Sequence, residues 1–486
     1  MLKSLAGCAR LFPFKHFLIM LKTKKVKIVA TLGPASDSLE MIERLARSGV
    51  NVFRLNFSHK EWDYYGPLIN RIRQVEKKIA RPIAILGDVP GPKIRIGFVG
   101  EGVELRSGSR IRIVGHSVVG SKEIISVNFP NILKYIKEGT EIYLGDGVIK
   151  LEAERTDQDG VIARVTGGGA LRSRMGFSAQ GMALDAFALN ARDRSFIRHS
   201  VAAHLDMIGI SFVQTRQDIM RVRKLLPKKN APMIVAKIET AKAIEHIEAI
   251  LEASDALMIA RGDLGFSIPL SQLPYVQKEL IALCLKKAKP VITATQMLES
   301  MIHNQFPTRA EVTDVANAIL DGTDAVMLSA ETAIGNFPEE TVKTMTRIIE
   351  GGMMRIPERD FGDEKTVADA VAASAVRVAK QIGARLIIVF TETGATARRI
   401  ARHRGAQPII ALSPEDRTVH KLALSWGVRA LKTKSTNNID HLIIEAKKIA
   451  RKNPVLELKS GESFVISAGL PFGQSGGTNL VLIEKA

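Results

Sequence analysis

From Lys27 onward the chain repeats one pattern: a short apolar run rich in β-branched residues, a polar or glycine-containing turn, then a stretch of helical period. The runs are "KIVAT", "NVFRLNF", "IAILGD", "LDMIGIS", "MIVAKIE", "DALMIARGD", "PVITATQ" and "DAVMLSAET". Continuous rather than alternating apolar runs mark strands buried on both faces, and eight of them with helices between most predict a (β/α)8 barrel. Thr240 is placed to cap a helix in which Ala241, Ile244, Ile247 and Ile250 recur at helical spacing, and Thr308 with Glu311 forms a capping box.

The period breaks after the third run. Residues from about 94 to 179, with "SRIRIVG" and "EIYLGDGVIKLEAERTDQDGVIARV", alternate like strands and have no helical stretch, which predicts a small β-domain inserted in a βα loop. After Gly351 a new alternation begins with a helix "VADAVAASAVRVAKQI", a strand "ARLIIVF", a loop and helix "TETGATARRIARHR" and a strand "QPIIALS", which predicts a separate open α/β sheet. The expected division is an extension at 1–20, barrel at 21–92, inserted β lid at 93–179, barrel again at 180–350 and an α/β domain at 351–486.

Composition narrows the partners. With 69 Lys+Arg against 50 Asp+Glu the chain carries a formal +19, which draws anionic substrates. The basic residues are dispersed and not interleaved with aromatics, which argues against nucleic acid. No apolar run approaches the ~18 residues that span a bilayer, so no membrane segment is expected. Cys8 and Cys284, far apart and without metal spacing, suit a reduced cytoplasm. The basic leader "MLKSLAGCARLFPFKHFLIM" is expected to be an extension rather than a targeting signal.

In such a barrel functional groups gather after the C-terminal ends of the strands. Here those positions hold Thr31, Arg54, Asn56, Ser58, Asp88, Ser211, Lys237, Glu239, Arg261, Asp263, Thr295, Gln296, Ser329 and Glu331. Singly, most would pass for helix caps; together they make one polar mouth. Lys237 and Glu239, two apart on a strand, share a face. A structural salt bridge explains that pair, but Asp263 adds a second carboxylate, and two carboxylates that leave coordination positions open suit Mg²⁺ better. Backbone amides of Gly262 and Asp263 in "ARGDLG" can receive an anion, while Arg54 and Lys237 can hold a phosphoryl group. A cation, an anion hole and two basic groups suit phosphoryl transfer or an enolate, and neither a Rossmann fingerprint nor a Walker loop is present.

The motifs "KIVATLGPAS", "VFRLNFSH", "GPKIR", "VAKIE", "MIARGDLG", "ATQMLESM", "PTRAEVTDVANAILDGTDAVMLSAETAIGNFP" and "GLPFGQSGGTN", in order from about Val26 to the end, resemble pyruvate kinase. The resemblance implies phosphoenolpyruvate and ADP as substrates, ATP and pyruvate as products, a homotetramer and a β-domain that closes as a lid. It implies Lys237, Arg54 and Thr295 as catalytic groups, with Arg54, Gly262, Asp263 and Thr295 on phosphoenolpyruvate. Glu239 and Asp263 become ligands of Mg²⁺, and Asn56, His59, Arg95 and Arg192 lie on the nucleotide side. Candidate proton donors to the enolate are Thr295 and the network near Ser329 and Glu331. The loop of Thr391, Thr393, Gly394 and Thr396 resembles the family's effector loop, although Glu392 within it repels phosphate and an ordinary helix-capping turn explains it as well.

The sequence departs from the family pattern at Lys60, at "FSAQG" (Phe177 to Gly181) and at Arg192, where a lysine is common, and such departures raise a catalytically weak binding protein as the rival reading. A further departure concerns the monovalent cation. The family's K⁺ pocket corresponds to Asn56, Ser58, Asp88 and Val89, and Lys93 stands where a glutamate is usual. A tethered ammonium carries the charge of K⁺, so K⁺ is expected to be replaced by Lys93.

Overall fold

The computed structural model describes residues 24–91, 94–145, 147–181, 189–352, 355–362, 366–435, 438–452, 458–470 and 477–486. The leader and Lys93, on which two sequence expectations rest, lie outside them. Eight parallel strands close into a barrel: β1 (Lys27–Leu32), β2 (Val52–Asn56), β3 (Ala84–Val89), β4 (Met207–Ile210), β5 (Met233–Ile238), β6 (Ala256–Ala260), β7 (Val291–Ala294) and β8 (Ala325–Leu328). Each pairs with its neighbours in the chain, and β8 returns to β1 with Lys27 opposite Ala325.

Alternation along these strands decides what lines the interior. Val29, Val52, Leu86, Val235, Met258 and Met327 form one buried cluster, while Ile28, Phe53, Ile85, Ala236 and Leu257 belong to another with the surrounding helices. Stepping two residues on from the inward set gives Thr31 after Val29, Arg54 after Val52, Asp88 after Leu86 and Lys237 after Val235. The polar mouth is therefore the top layer of a packed apolar core, and each functional side chain inherits its direction from the residue two before it.

The capping box of Thr308 and Glu311 forms on the helix Arg309–Asp321, and Thr240 accepts from Ala243 N at 3.2 Å. The single helix expected after Thr240 is instead two, Ala241–Glu245 and Ile247–Ala253, because His246 at φ −107° and ψ 19° interrupts the coil. The apolar spacing survives the break, with Ala243 and Ile250 buried and Ile244 and Ile247 packed on the core.

After β3 the chain enters a six-stranded curled sheet with its own core of residues such as Ile111, Ile113, Ile142, Leu151 and Val161. This lid leans on the barrel mouth, where the Tyr143 and Phe266 rings lie 5.0 Å apart. The C-terminal domain is a five-stranded sheet whose last strand, Thr478–Lys485, runs antiparallel to Ser463–Gly469. Its Leu424 joins the cluster of the barrel interior, and Asp324, just before β8, accepts from Arg404 Nη2 at 3.0 Å and from Trp426 N at 3.0 Å. Among the described residues no helix is long and apolar enough to cross a membrane.

Candidate active site

The centre of the mouth is a chain of buried charges. Arg54 Nε donates to Asp88 Oδ2 at 2.7 Å and its Nη1 to Thr31 Oγ1 at 3.0 Å. Lys237 Nζ donates to Ser211 Oγ at 2.7 Å and pairs with Glu239 Oε1 at 2.9 Å. It also stands 3.3 Å from Asp88 Oδ1, close enough for an ion pair but without hydrogen-bond geometry, so that buried oxygen accepts no hydrogen bond among the described groups. Asp88 is 1% exposed and Glu239 2%, whereas Arg54 and Lys237 keep 8% and 9%: the carboxylates are the floor and the cations face the opening.

Burial alone would discharge Lys237, but Asp88 and Glu239 outweigh it and raise the ammonium to about 12. The same contest at Asp88 runs the other way: burial pushes its carboxyl up, and Lys237 and Arg54 hold it below the usual carboxylate value. Lys237 and Asp88 therefore stay charged at neutral pH, each held so by the opposite charge beside it.

Glu239 is held on both oxygens, since Oε2 accepts from Phe212 N at 2.7 Å. The salt bridge to Lys237 thus exists, and a metal ion would share Glu239 with it. Asp263, exposed in the first turn of the helix Arg261–Ser267, acts on Lys237 through its charge. Hard carboxylate oxygens are the right donors for Mg²⁺, and a pair of them, Glu239 and Asp263, would leave positions for substrate oxygens. The donor set fits the ion.

Thr295 lies one residue beyond β7 with φ +68°, and Gln296 follows at φ +53°. For a β-branched residue this is a strained conformation. Two contacts hold it: Thr295 Oγ1 accepts from Gly262 N at 2.7 Å, and Arg261 Nη2 donates to the carbonyls of Thr295 and Gln296 at 2.7 and 3.1 Å. Arg261 is itself fixed by Asp314 at 2.7 Å. The Gly262 amide, expected to be open to an anion, is engaged by Thr295, and it belongs to the helix rather than to a turn before it. Glu331, 2% exposed, accepts from Ser329 N at 2.6 Å and Leu298 N at 3.3 Å, so its carboxylate ties the loops after β7 and β8. Burial pushes it above the ordinary value.

On one side of the mouth Asn56 Oδ1 accepts from Ser58 N at 3.3 Å, and His59 is exposed just beyond. Arg192 reaches the same turn, donating to Lys60 O at 3.0 Å and pairing with Glu61 at 3.1 Å. Arg95 belongs to the lid, where its Nη1 donates to Arg174 O at 2.7 Å. Val89 O accepts from Ser211 Oγ at 3.0 Å. In the C-terminal domain Thr391 Oγ1 accepts from Gly394 N at 3.0 Å, Thr393 O from Arg398 Nη2 at 3.3 Å, and Thr396 Oγ1 lies 2.5 Å from Thr478 Oγ1. The hydroxyls of Thr391 and Thr396 are turned inward to the loop's own turn and sheet.

Three features escaped the sequence reading. Asp88 as the partner of Arg54 follows from their diagonal places on adjacent strands, Asp88 lying two residues beyond Leu86, which is opposite Arg54, and a strand-end inventory could have paired them. The Arg261 brace and the positive φ of Thr295 and Phe212 have no signature in single residues.

Models of two families match the chain: "Pyruvate kinase, barrel domain" over residues 23–342 and "Pyruvate kinase, alpha/beta domain" over 369–484. A pyruvate kinase from Geobacillus stearothermophilus is 39% identical over 472 residues, 95% of this chain and 80% of its own length. One from Methylorubrum extorquens is 39% identical over 476 residues, 96% and 98% of the two chains. The match spans barrel and C-terminal domain alike, and the closed barrel with its curled inserted sheet is the architecture the family models describe. This chain belongs to the pyruvate kinase family and is a phosphotransferase.

Proposed function

We propose that the chain moves the phosphoryl group of phosphoenolpyruvate to ADP in glycolysis, in the cytoplasm and as a homotetramer, with Glu239 and Asp263 holding Mg²⁺. The observation that carries this reading is the Lys237 ammonium, kept charged by Asp88 and Glu239 beside the Arg54 guanidinium at an open mouth. Such fixed cations stabilise charge that spreads over a transferring phosphoryl group without reorganising. Arg54, already braced by Asp88 and Thr31, takes the phosphate oxygens. Thr295 and the amides of Gly262 and Asp263 receive the carboxylate, which competes with Thr295 Oγ1 for the Gly262 N–H.

When bound, Mg²⁺ neutralises carboxylate and phosphate charge and aligns them. An oxygen of the ADP β-phosphate forms the new P–O bond as the bond to the enol oxygen breaks, its electron pair staying on the enolate facing Lys237. The enolate carbon then takes a proton, for which Thr295 and the network near Ser329 and Glu331 are the candidate donors. Asn56, His59, Arg95 and Arg192 form the nucleotide side, and the lid excludes water on closure. K⁺ is dispensable in this reading, its charge being supplied by Lys93. The effector loop, with the Thr391 and Thr396 hydroxyls already engaged, is a weak phosphate site at most.

A lactate dehydrogenase-coupled assay of the full chain tests the reading. Pyruvate should form only with ADP, phosphoenolpyruvate and Mg²⁺ together, and equimolar ATP should accompany it. Absence of ADP-dependent pyruvate formation would leave a binding protein on this scaffold instead.

A further inference from the structure

A second cationic cavity lies at the opposite end of the barrel. About 420 Å³ in volume, it opens between the segment Lys286–Lys289 and the C-terminal helix Ala395–Ala401. Lys289 precedes β7 and Asp255 precedes β6, so this is the N-terminal end of the strands, remote from Lys237.

Six cations line it, Lys286, Lys287, Lys289, Arg398, Arg399 and Arg402, against two carboxylates, Asp255 and Asp369. The carboxylates are already used. Asp255 accepts from Ile234 N at 2.8 Å and pairs with Arg223 at 3.1 Å, and Asp369 is shared by Arg399 at 3.2 Å and Arg402 at 3.7 Å. Lys289 is spent on the carbonyls that end a barrel helix, among them Ser254 O at 2.7 Å. The arginines are not. Arg402, 6% exposed, donates through Nη1 to Lys286 O at 3.0 Å, yet its Nε and the Nη1 of Arg399 are buried and have no acceptor among the described residues. Arg398 has one carbonyl contact, Thr393 O at 3.3 Å, and burial together with Arg399 lowers its pKa even against the pull of Asp255. Buried N–H donors left without partners in an excess of positive charge form a site short of one anion.

We propose that this cleft binds phosphate, free or as a small monoester, on the guanidinium groups of Arg398, Arg399 and Arg402. Planar guanidiniums take tetrahedral oxyanions bidentately, and the volume exceeds that of phosphate alone, leaving room for a short organic tail. A ligand here bridges barrel and C-terminal domain.

Isothermal titration of inorganic phosphate and of glycerol 3-phosphate into the full chain tests this, with Arg54→Met present throughout so that the mouth does not contribute. Arg398→Met and Arg399→Met should each weaken binding about tenfold or more, the worth of one charge-assisted hydrogen bond. Tighter binding of glycerol 3-phosphate assigns the site to monoesters, and equal affinity assigns it to phosphate itself. If Arg398→Met fails to fold, Arg399→Met, with a side chain 25% exposed, carries the test. Affinities within about twofold of the parent for both probes would mean an adventitious ion only, and would overturn the proposal.

Discussion

Arg54 and Asp88, on neighbouring barrel strands, share a buried contact in which Nε and Nη2 both lie 2.7 Å from one carboxylate oxygen, Oδ2. The guanidinium that faces the opening is thus aimed by a carboxylate that does not. Asp88→Asn keeps the volume and removes the charge. Breaking a buried pair by deleting one partner costs about 3 kcal/mol or more, and misaiming a clamp by an ångström costs about 10²-fold in rate. The thermal midpoint and kcat/KM for phosphoenolpyruvate should therefore fall together. A variant as stable and active as its parent would show that Arg54 aims itself.

Lys237 carries a different pH signature. Its folded pKa is raised to about 12, so the stability and charge it supplies are complete below the unfolded value of about 10.4 and are lost only as pH rises through about 12. The kcat profile of the wild type should have no basic limb from this group below about pH 11. Lys237→Gln should lower kcat on the order of 10²–10³-fold at every pH between 6 and 9, the cost of one preorganised donor. A pH-dependent deficit in that range would place the titrating group elsewhere.

Arg261 is a positioning residue. It spans the carbonyls of Thr295 and Gln296 on one side and Asp314 on the other, a fork that a single ammonium cannot reproduce. In Arg261→Lys the strained turn should relax and Thr295 should move from the mouth, lowering kcat about 10²-fold. Asp314→Asn in the Arg261→Lys background should add little beyond the single change, since both act on one brace. Fully additive losses would separate Asp314 from the active site.

Much of this was legible in the strands. The period-two alternation that buries Val52 and Val235 also turns Arg54 and Lys237 inward, so the top layer could be read from apolar residues alone. Turn geometry was not legible. Nothing in "ATQM" announces that Thr295 takes φ +68°, because that conformation is imposed by Arg261 from a separate element. His246, which splits an evenly spaced helix, shows the same limit: apolar spacing fixes which face is buried, not whether the backbone stays continuous across it.

The two domains are joined by a histidine whose charge matters. His420, on the C-terminal domain, meets Glu76 of the barrel at 2.6 Å and lies 4.0 Å from Asp206. Burial lowers its pKa, but Glu76 and Asp206 outweigh burial and leave it raised despite Arg73 nearby. A raised folded pKa gives stability that is complete below the unfolded value of about 6.5 and decays as pH rises through the folded one. Urea midpoints of the wild type should accordingly fall between pH 6 and pH 8.5, and His420→Gln should flatten that slope while lowering the midpoint most at pH 6. Parallel slopes in the two proteins would remove His420 from the account.

The oxygen Oδ1 of Asp88 is buried, accepts no hydrogen bond among the described groups and shares the Lys237 ammonium, 3.3 Å away, with Glu239. A second positive charge would serve such an oxygen, and the sequence offers one five residues on, at Lys93 in "GDVPGPKIR". A tethered ammonium meets the electrostatic need without the entropy of capturing an ion. Activity in tetramethylammonium buffer should therefore match that in K⁺ within about twofold, because the charge of Lys93 is present in both media. Lys93→Glu should reverse this, losing about tenfold or more without K⁺ and recovering most of it when K⁺ is added, since a second carboxylate then needs a mobile counter-charge. A wild type that stalls in K⁺-free buffer would return Lys93 to the status of an ordinary loop lysine, and the pocket at Asp88 to a site for the ion itself.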